Sequence, residues 1–186
     1  MNFAAKFAEG LAYAAFLERY ADAGQRRRWD EFHAQVELSE SQQALIAGFP
    51  RDVQALVLAG AWCGDCVNQC PIFERFAEQS PRLDIRYFDR DDHPDLAEAL
   101  SICGGRRVPV VVFLSEDGHV CGWYGDRTLA KYRQIVRDQL GAACPTGFVA
   151  PGGTLLADVV LDWLDEFERI QLMLRTSGRL RQLHGD

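Results

Sequence analysis

The sequence predicts an α/β chain, with strands gathered in its middle, an all-helical N-terminal extension before them and a C-terminal helix after them. Short apolar runs at 55–60, 83–88 and 109–114 have the length of buried strands and are separated by stretches of helical spacing. Glu116-Asp117-Gly118 lies between the run 109–114 and the run 119–124, and Asp-Gly is a good hairpin signal, so those two strands pair antiparallel. Apolar residues three or four apart fill residues 1–50 and return after 155. The chain therefore divides into a helical extension (1–50), a central unit (51–142), and a linker with an amphipathic helix (143–186).

Taken in order, Phe3, Phe7, Leu11, Ala14 and Leu17 form one stripe of a helix over 2–21. Gly10 within it costs about 1 kcal/mol against alanine, so this helix depends on packing. A second helix spans 25–36 with Trp29, Phe32 and Val36 on its buried face. Its Arg26-Arg27-Arg28 triplet, beside Asp30 and Glu31, reads as a solvated face. Ser39 and Gln42 fit a capping box for a short third helix carrying Leu45, Ile46 and Phe49, which Pro50 ends. The continuous apolar run 55–60 suits a central strand covered on both faces. The next helix, 66–79, turns Val67, Cys70, Phe73 and Ala77 inward and carries Pro71, which removes a backbone hydrogen bond and predicts a kink.

Strand 83–88 follows, then a helix over 95–102 introduced by His93-Pro94 and ended by Gly104-Gly105. After the hairpin, a helix over 128–140 turns Leu129, Tyr132, Ile135, Val136 and Leu140 inward. Residues 141–153, rich in proline and glycine, read as a linker. Beyond it Leu156, Val159, Trp163, Phe167, Ile170 and Leu174 share one helix face, expected to pack on the N-terminal extension or on a second chain. A homodimer through the terminal helices is thus one expectation. Asp158, Asp162, Asp165, Glu166 and Glu168 on the other face read as an exposed acidic surface, not a metal site.

With 186 residues, 48% hydrophobic and 25% charged, the chain is sized for one domain with additions and a substantial core. A net charge of −7 argues against a general nucleic-acid binder, which needs a positive surface to displace counterions. Lys6, Glu9, Glu18 and Arg19 interrupt the Ala- and Phe-rich start, so it does not read as a targeting segment. No stretch approaches the roughly 20 apolar residues that span a bilayer, and a cytoplasmic chain with no membrane partner is expected. Six cysteines in a chain of this size do not make a disulfide scaffold, so most are expected as reduced thiols.

The chemistry centres on Ala61-Trp62-Cys63-Gly64-Asp65-Cys66, between the run 55–60 and a helix. Two cysteines spaced C-x-x-C across a first helical turn come within disulfide reach. The first faces unpaired backbone N–H groups and the positive end of the helix dipole. Free cysteine titrates near ~8.5, and this setting lowers it to roughly 7, so Cys63 is the expected nucleophile. Cys66 would resolve the mixed disulfide by attacking Cys63. The competing readings are an inert buried pair or half of a zinc site, which normally needs four ligands. Neither a metal nor a bound cofactor is expected. Cys70, one turn after Cys66, reads as a buried apolar residue, and Cys103 is the best candidate for a third redox thiol.

Trp62-Cys63-Gly64-Asp65-Cys66, Pro71, Arg107-Val108-Pro109 before the apolar run, Glu116-Asp117-Gly118 and Trp123-Tyr124-Gly125 together resemble the thioredoxin family, in chain order, over residues 54–140. The resemblance implies a thioredoxin-like fold, with a central mixed sheet flanked by helices. It implies that Pro109 is the cis-proline facing the dithiol, with Val108, Pro109 and Trp62 lining a substrate groove that takes an extended chain. It also exposes two departures. Asp65 stands where the commonest motif has proline, and a carboxylate there opposes the thiolate by roughly 1 kcal/mol, so Cys63 is expected to titrate higher than in an Asp65→Pro variant. Val57 stands where thioredoxins carry a buried Asp that serves the second cysteine.

The function implied is a thiol–disulfide oxidoreductase that reduces disulfides in protein substrates through Cys63 and Cys66, with electrons from a separate reductase or a small thiol. A protein-binding module with vestigial redox activity is the rival. A metal or cluster carrier using Cys63, Cys66 and Cys70 is the third reading.

Overall fold

A computed structural model describes residues 1–140 and 154–186. Its centre is β1 (Val53–Ala59), whose residues Ala55 to Ala59 are all 1% exposed or less, as a strand covered on both faces must be. Strand β2 (Leu83–Asp89) pairs with β1 in parallel, and β3 (Val110–Ser115) pairs with it antiparallel on the other side. Strand β4 (Val120–Gly125) follows β3 through the Asp117-Gly118 turn, giving the order β2-β1-β3-β4 in a mixed sheet. The fold class expected from the sequence is the one observed.

The N-terminal extension differs from the expected single helix. It forms α1 (Phe3–Phe7) and α2 (Tyr13–Tyr20), and between them Leu11 exchanges backbone hydrogen bonds with Tyr87 at 3.0 and 2.7 Å. Gly10 explains the break: a Cβ there would lie 2.6 Å from both the Arg86 Cβ and the Phe88 ring. The glycine is a point of close approach to β2, not a weak spot in a continuous helix. Helix α3 (Ala23–Gln35) starts with a capping box between Asp22 and Gln25, and α4 (Glu40–Ala47) with the expected one between Ser39 and Gln42.

The helix expected over 66–79 is two helices, α5 (Gly64–Val67) and α6 (Cys70–Gln79), broken at Asn68 and Gln69. Pro71 falls in the first turn of α6, where its missing N–H has no intrahelical partner to lose, so it starts a helix instead of kinking one. Helix α7 (Pro94–Ala99) stops short of the expected 102, because Ile102 and Gly105 pair across a turn in which Cys103 and Gly104 take left-handed φ values of 50° and 72°.

Helix α8 (Leu129–Leu140) turns neither Leu129 nor Tyr132 inward, at 51% and 37% exposed; Ala130 and, just before the helix, Thr128 face the core instead. The linker assigned to 141–153 lies outside the described residues. Helix α9 (Leu155–Thr176) packs on the sheet and α6. The Trp163 ring lies 4.5 Å from Phe73 and 4.9 Å from Tyr124, and Phe167 lies 5.0 Å from Phe113 and 5.4 Å from Phe76. Each of the fully buried rings among them contributes about 2–3 kcal/mol, so the apolar stripe expected to meet the extension or another chain is spent mainly within the central unit. The acidic face is not wholly free either, since Asp162 Oδ2 accepts the Ala130 N–H at 2.7 Å and caps α8. Gln171 brackets the Arg51 backbone at 3.1 and 2.7 Å, and a further helix, α10 (Gly178–His184), ends near Asp186, which pairs with the buried Arg51 at 2.6 Å.

Candidate active site

The site forms where β1 runs into α5. Gly60 ends the strand, and a Cβ there would lie 2.7 Å from the Trp62 ring, so the indole lies directly over the glycine. Trp62 is 44% exposed and carries the Arg90 guanidinium 4.4 Å from its ring centroid. Cys63 is the N-cap of α5 in extended conformation, partly exposed, and its carbonyl accepts the first helical bond from Val67 at 3.0 Å. Gly64 opens the helix with nothing within 4 Å of a built Cβ. Cys66 is fully buried, and its sulfur accepts the Gly60 N–H at 3.5 Å.

The two thiols interact with one another, and Cys63 Sγ donates to the Val108 carbonyl at 3.7 Å. The Val108–Pro109 bond is cis, and Val108 and Pro109 are buried against the site. The structure thus brings together Cys63, Cys66 and Val108 by direct contact, with Pro109 next in chain, Trp62 preceding and Gly64 and Asp65 between.

The electrostatics differ from the sequence expectation in two ways. The interaction with the Cys66 thiol, and then desolvation, push the Cys63 thiol above its ordinary value, while the backbone N–H groups of Cys66 and Asp65 pull the other way. The dithiol is therefore held protonated, and the thiolate near neutrality expected from the helix terminus alone is not its resting form. Asp65 is also not a bare anion: Arg127 donates to its Oδ2 from Nε at 2.9 Å and Nη2 at 2.7 Å. The expected contrast with an Asp65→Pro variant loses its basis, because the opposing charge is already paired.

Burial pushes the Cys66 thiol well up, with the Cys70 thiol adding to the rise. Val57 is fully buried at the centre of β1, so the position that the resemblance assigns to a carboxylate holds an aliphatic side chain. Cys70 is buried as expected, and its carbonyl accepts the Tyr87 hydroxyl at 3.2 Å. Cys103 is exposed. Among the described residues no group of three His, Cys, Asp or Glu side chains is placed to hold a metal ion.

Several residues that the sequence did not single out complete the site. Gln69, at the break between α5 and α6, is 3% exposed and bonds through every polar atom of its amide. Its Nε2 donates to the carbonyls of Asp65 at 3.2 Å and Asp126 at 2.9 Å, and its Oε1 accepts Trp163 Nε1 at 2.9 Å. The Asp126 carboxylate takes Arg107 Nη1 at 2.9 Å and the Tyr132 hydroxyl. Desolvation would raise its pKa, but those two hydrogen bonds win and hold it below the usual carboxylate value. From the other side, Trp29 Nε1 donates to the Ala61 carbonyl at 2.9 Å. A pocket of about 130 Å³ opens beside Asp65, between Phe32 on α3 and Leu155, Leu156 and Val159 on α9.

Of these, the meeting of Arg107 with Asp126 was within reach of the sequence. A hairpin centred on Asp117-Gly118 pairs Val110 with Gly125, which carries residues 107 and 126 to the same end of the strand pair. The pairing of Asp65 with Arg127 and of Gln69 with Trp163 spans 62 and 94 residues and leaves no local signal.

A family model described as thioredoxin matches residues 10–139. Among solved structures, an HIV epitope scaffold superposes with a TM-score of 0.66 at 18% identity, over 89% of this chain and 98% of the scaffold. A protein of unknown function from Pseudomonas aeruginosa gives 0.63 at 18% identity, over 87% of this chain and 95% of that one. At this identity both speak to the fold alone, helical additions included. No curated protein matches the chain. Among the described residues no helix is long and apolar enough to cross a membrane.

Proposed function

The chain belongs to the thioredoxin family, and from that premise we propose that it is a thiol–disulfide oxidoreductase acting on disulfides of protein substrates through Cys63 and Cys66. The observation that supports this best is the placement of the two sulfurs. One is partly exposed at a helix N-cap beside a cis-proline; the other is buried behind it and in contact with it. Cys63, as thiolate, attacks one sulfur of the substrate disulfide, and the departing substrate thiolate takes up a proton. Cys66 then loses its proton and attacks Cys63, releasing the second substrate thiol and leaving Cys63–Cys66 oxidised. Two electrons have passed to the substrate, and a separate reductase or small thiol returns them in the reducing setting of the cytoplasm.

On this reading Trp62, Val108 and Pro109 line the wall against which an extended substrate lies, as an added strand would. Gly64 lets the chain turn into α5 beneath the substrate with no side chain in the way.

On this reading the chemistry is expected to be slow. Thiols pushed above their ordinary value, and an aliphatic Val57 where the family resemblance implies a carboxylate, leave both deprotonations to solvent or substrate. These features support a second reading, a binding module with vestigial redox activity. Insulin reduction in dithiothreitol separates the two. The oxidoreductase reading expects turnover by the wild type that is lost in Cys63→Ser, with a trapped mixed disulfide in Cys66→Ser. Equal background rates in wild type and Cys63→Ser would transfer the weight to the module.

A further inference from the structure

Asp65 sits in the first turn of α5 with its side chain only 20% exposed, and two N–H groups of Arg127 converge on one of its oxygens. The backbone on either side of this pair is tied together, because Gln69 Nε2 donates to the backbone carbonyls of Asp65 and of Asp126, the residue before Arg127. With side chains 30% and 20% exposed and two N–H groups on one oxygen, the pair is more sheltered than a solvated surface contact.

We propose that Arg127 is the charge-setting positioning residue of the dithiol: by pairing with Asp65 it lets Cys63 ionise beside a neutral pair in place of a bare anion. The inference rests on the oxidoreductase reading for its consequence in turnover, but its physical content is the ionisation of one thiol and is measurable without substrate.

The other ionisable groups on the elements around Cys63 do not substitute for Arg127. Cys66 and Cys70 are buried thiols. Arg90 lies over Trp62 and pairs with Asp91 at 2.8 Å. Arg107 is committed to Asp126, which also takes Tyr132. Lys131 shares the pocket wall with Asp65, but its Nζ bonds Gln134 at 3.0 Å. Among the described residues, Arg127 is the cation bonded to Asp65.

The test is the rate of iodoacetamide alkylation of Cys63 across a pH series, read by peptide mass mapping. It uses the reduced full chain, Arg127→Gln, Asp65→Asn and the double variant. A bare carboxylate about 6 Å from a sulfur, at an effective dielectric near ~40, moves the midpoint up by about one pH unit. Arg127→Gln should therefore alkylate Cys63 up to about tenfold more slowly well below the midpoint. Asp65→Asn, which leaves the cation unopposed, should move the midpoint down.

The double variant should return to the wild-type midpoint, a rescue that loss of a structural clamp would not give. An unmoved midpoint in Arg127→Gln, or a double variant that stays shifted, overturns the proposal. Should Arg127→Gln not fold, Asp65→Asn decides alone, and a midpoint that stays put or rises overturns it. Absent insulin reduction alongside the expected midpoint series would sink the oxidoreductase reading and leave the role of Arg127 standing.

Discussion

Two tryptophans, one on each helical addition, reach the redox segment from opposite flanks, and they do so differently. Trp29 and Trp163 are both 0% exposed, and each gives its indole N–H at 2.9 Å. Trp29 bonds the Ala61 carbonyl directly, one backbone group just before the dithiol. Trp163 bonds Gln69, which in turn holds Asp65 and Asp126. The first is a single fixture behind the loop; the second reaches, through Gln69, the backbone of both Asp65 and Asp126. A flanking helix can thus brace a site's backbone directly or through an intermediary side chain that ties two segments together.

The largest expected effect that sharpens this comparison comes from deleting each ring. Trp163 packs within 4.5 and 4.9 Å of Phe73 and Tyr124, closer than Trp29 approaches Tyr13 and Phe16 at 5.8 and 5.9 Å. Trp163→Ala should cost about 5 kcal/mol and Trp29→Ala about 3–4 kcal/mol in urea unfolding. A reversed order would show that the N-terminal flank carries more of the fold than its contacts suggest.

Next comes Asp126→Asn, which leaves Arg107 and Tyr132 without their buried carboxylate and should cost about 2–3 kcal/mol at neutral pH. The folded carboxyl titrates below its ordinary value. Its stabilisation is therefore complete above the unfolded value of roughly 3.9 and fades as pH falls through the lower folded value. Unfolding midpoints of wild type and variant should converge only below about pH 4; a gap that stays constant down to acid pH would mean the carboxylate contributes by shape and not by charge.

The smallest effect is the most diagnostic. Trp29→Phe and Trp163→Phe each keep a ring and remove one buried hydrogen bond, at about 1–2 kcal/mol. Only Trp163→Phe should move the pH midpoint of Cys63 alkylation, since only it loosens Gln69. Equal shifts in both variants would erase the distinction between the flanks.

The order of elements was readable because strands and helices here declare themselves locally. The run 55–60 is apolar without interruption, the Ser39–Gln42 box starts α4 where it should, and the Asp-Gly turn sets the β3–β4 register. Where the reading failed, the cause lay far along the chain. Gly10 looked like a tolerated helical glycine because Phe88, which forbids a side chain there, is distant in sequence. Leu129 looked inward because helix periodicity does not say which neighbour will arrive, and α9 placed Ala130 over Asp162 instead. The cysteines of the site were legible as a motif, but their ionisation was not. That depends on the interaction between the two thiols and on the burial around them, neither of which a spacing rule contains.

The pairing of Leu11 with Tyr87 bears on how this protein behaves among its own copies. A sheet's outermost strand offers unused backbone donors and acceptors to any passing segment, and here the extension already occupies part of that rim on the β2 side. A trimmed version beginning at β1 would strip this guard along with Gly10's close fit. It should be prone to cross-chain stacking at concentrations where the whole chain stays dispersed.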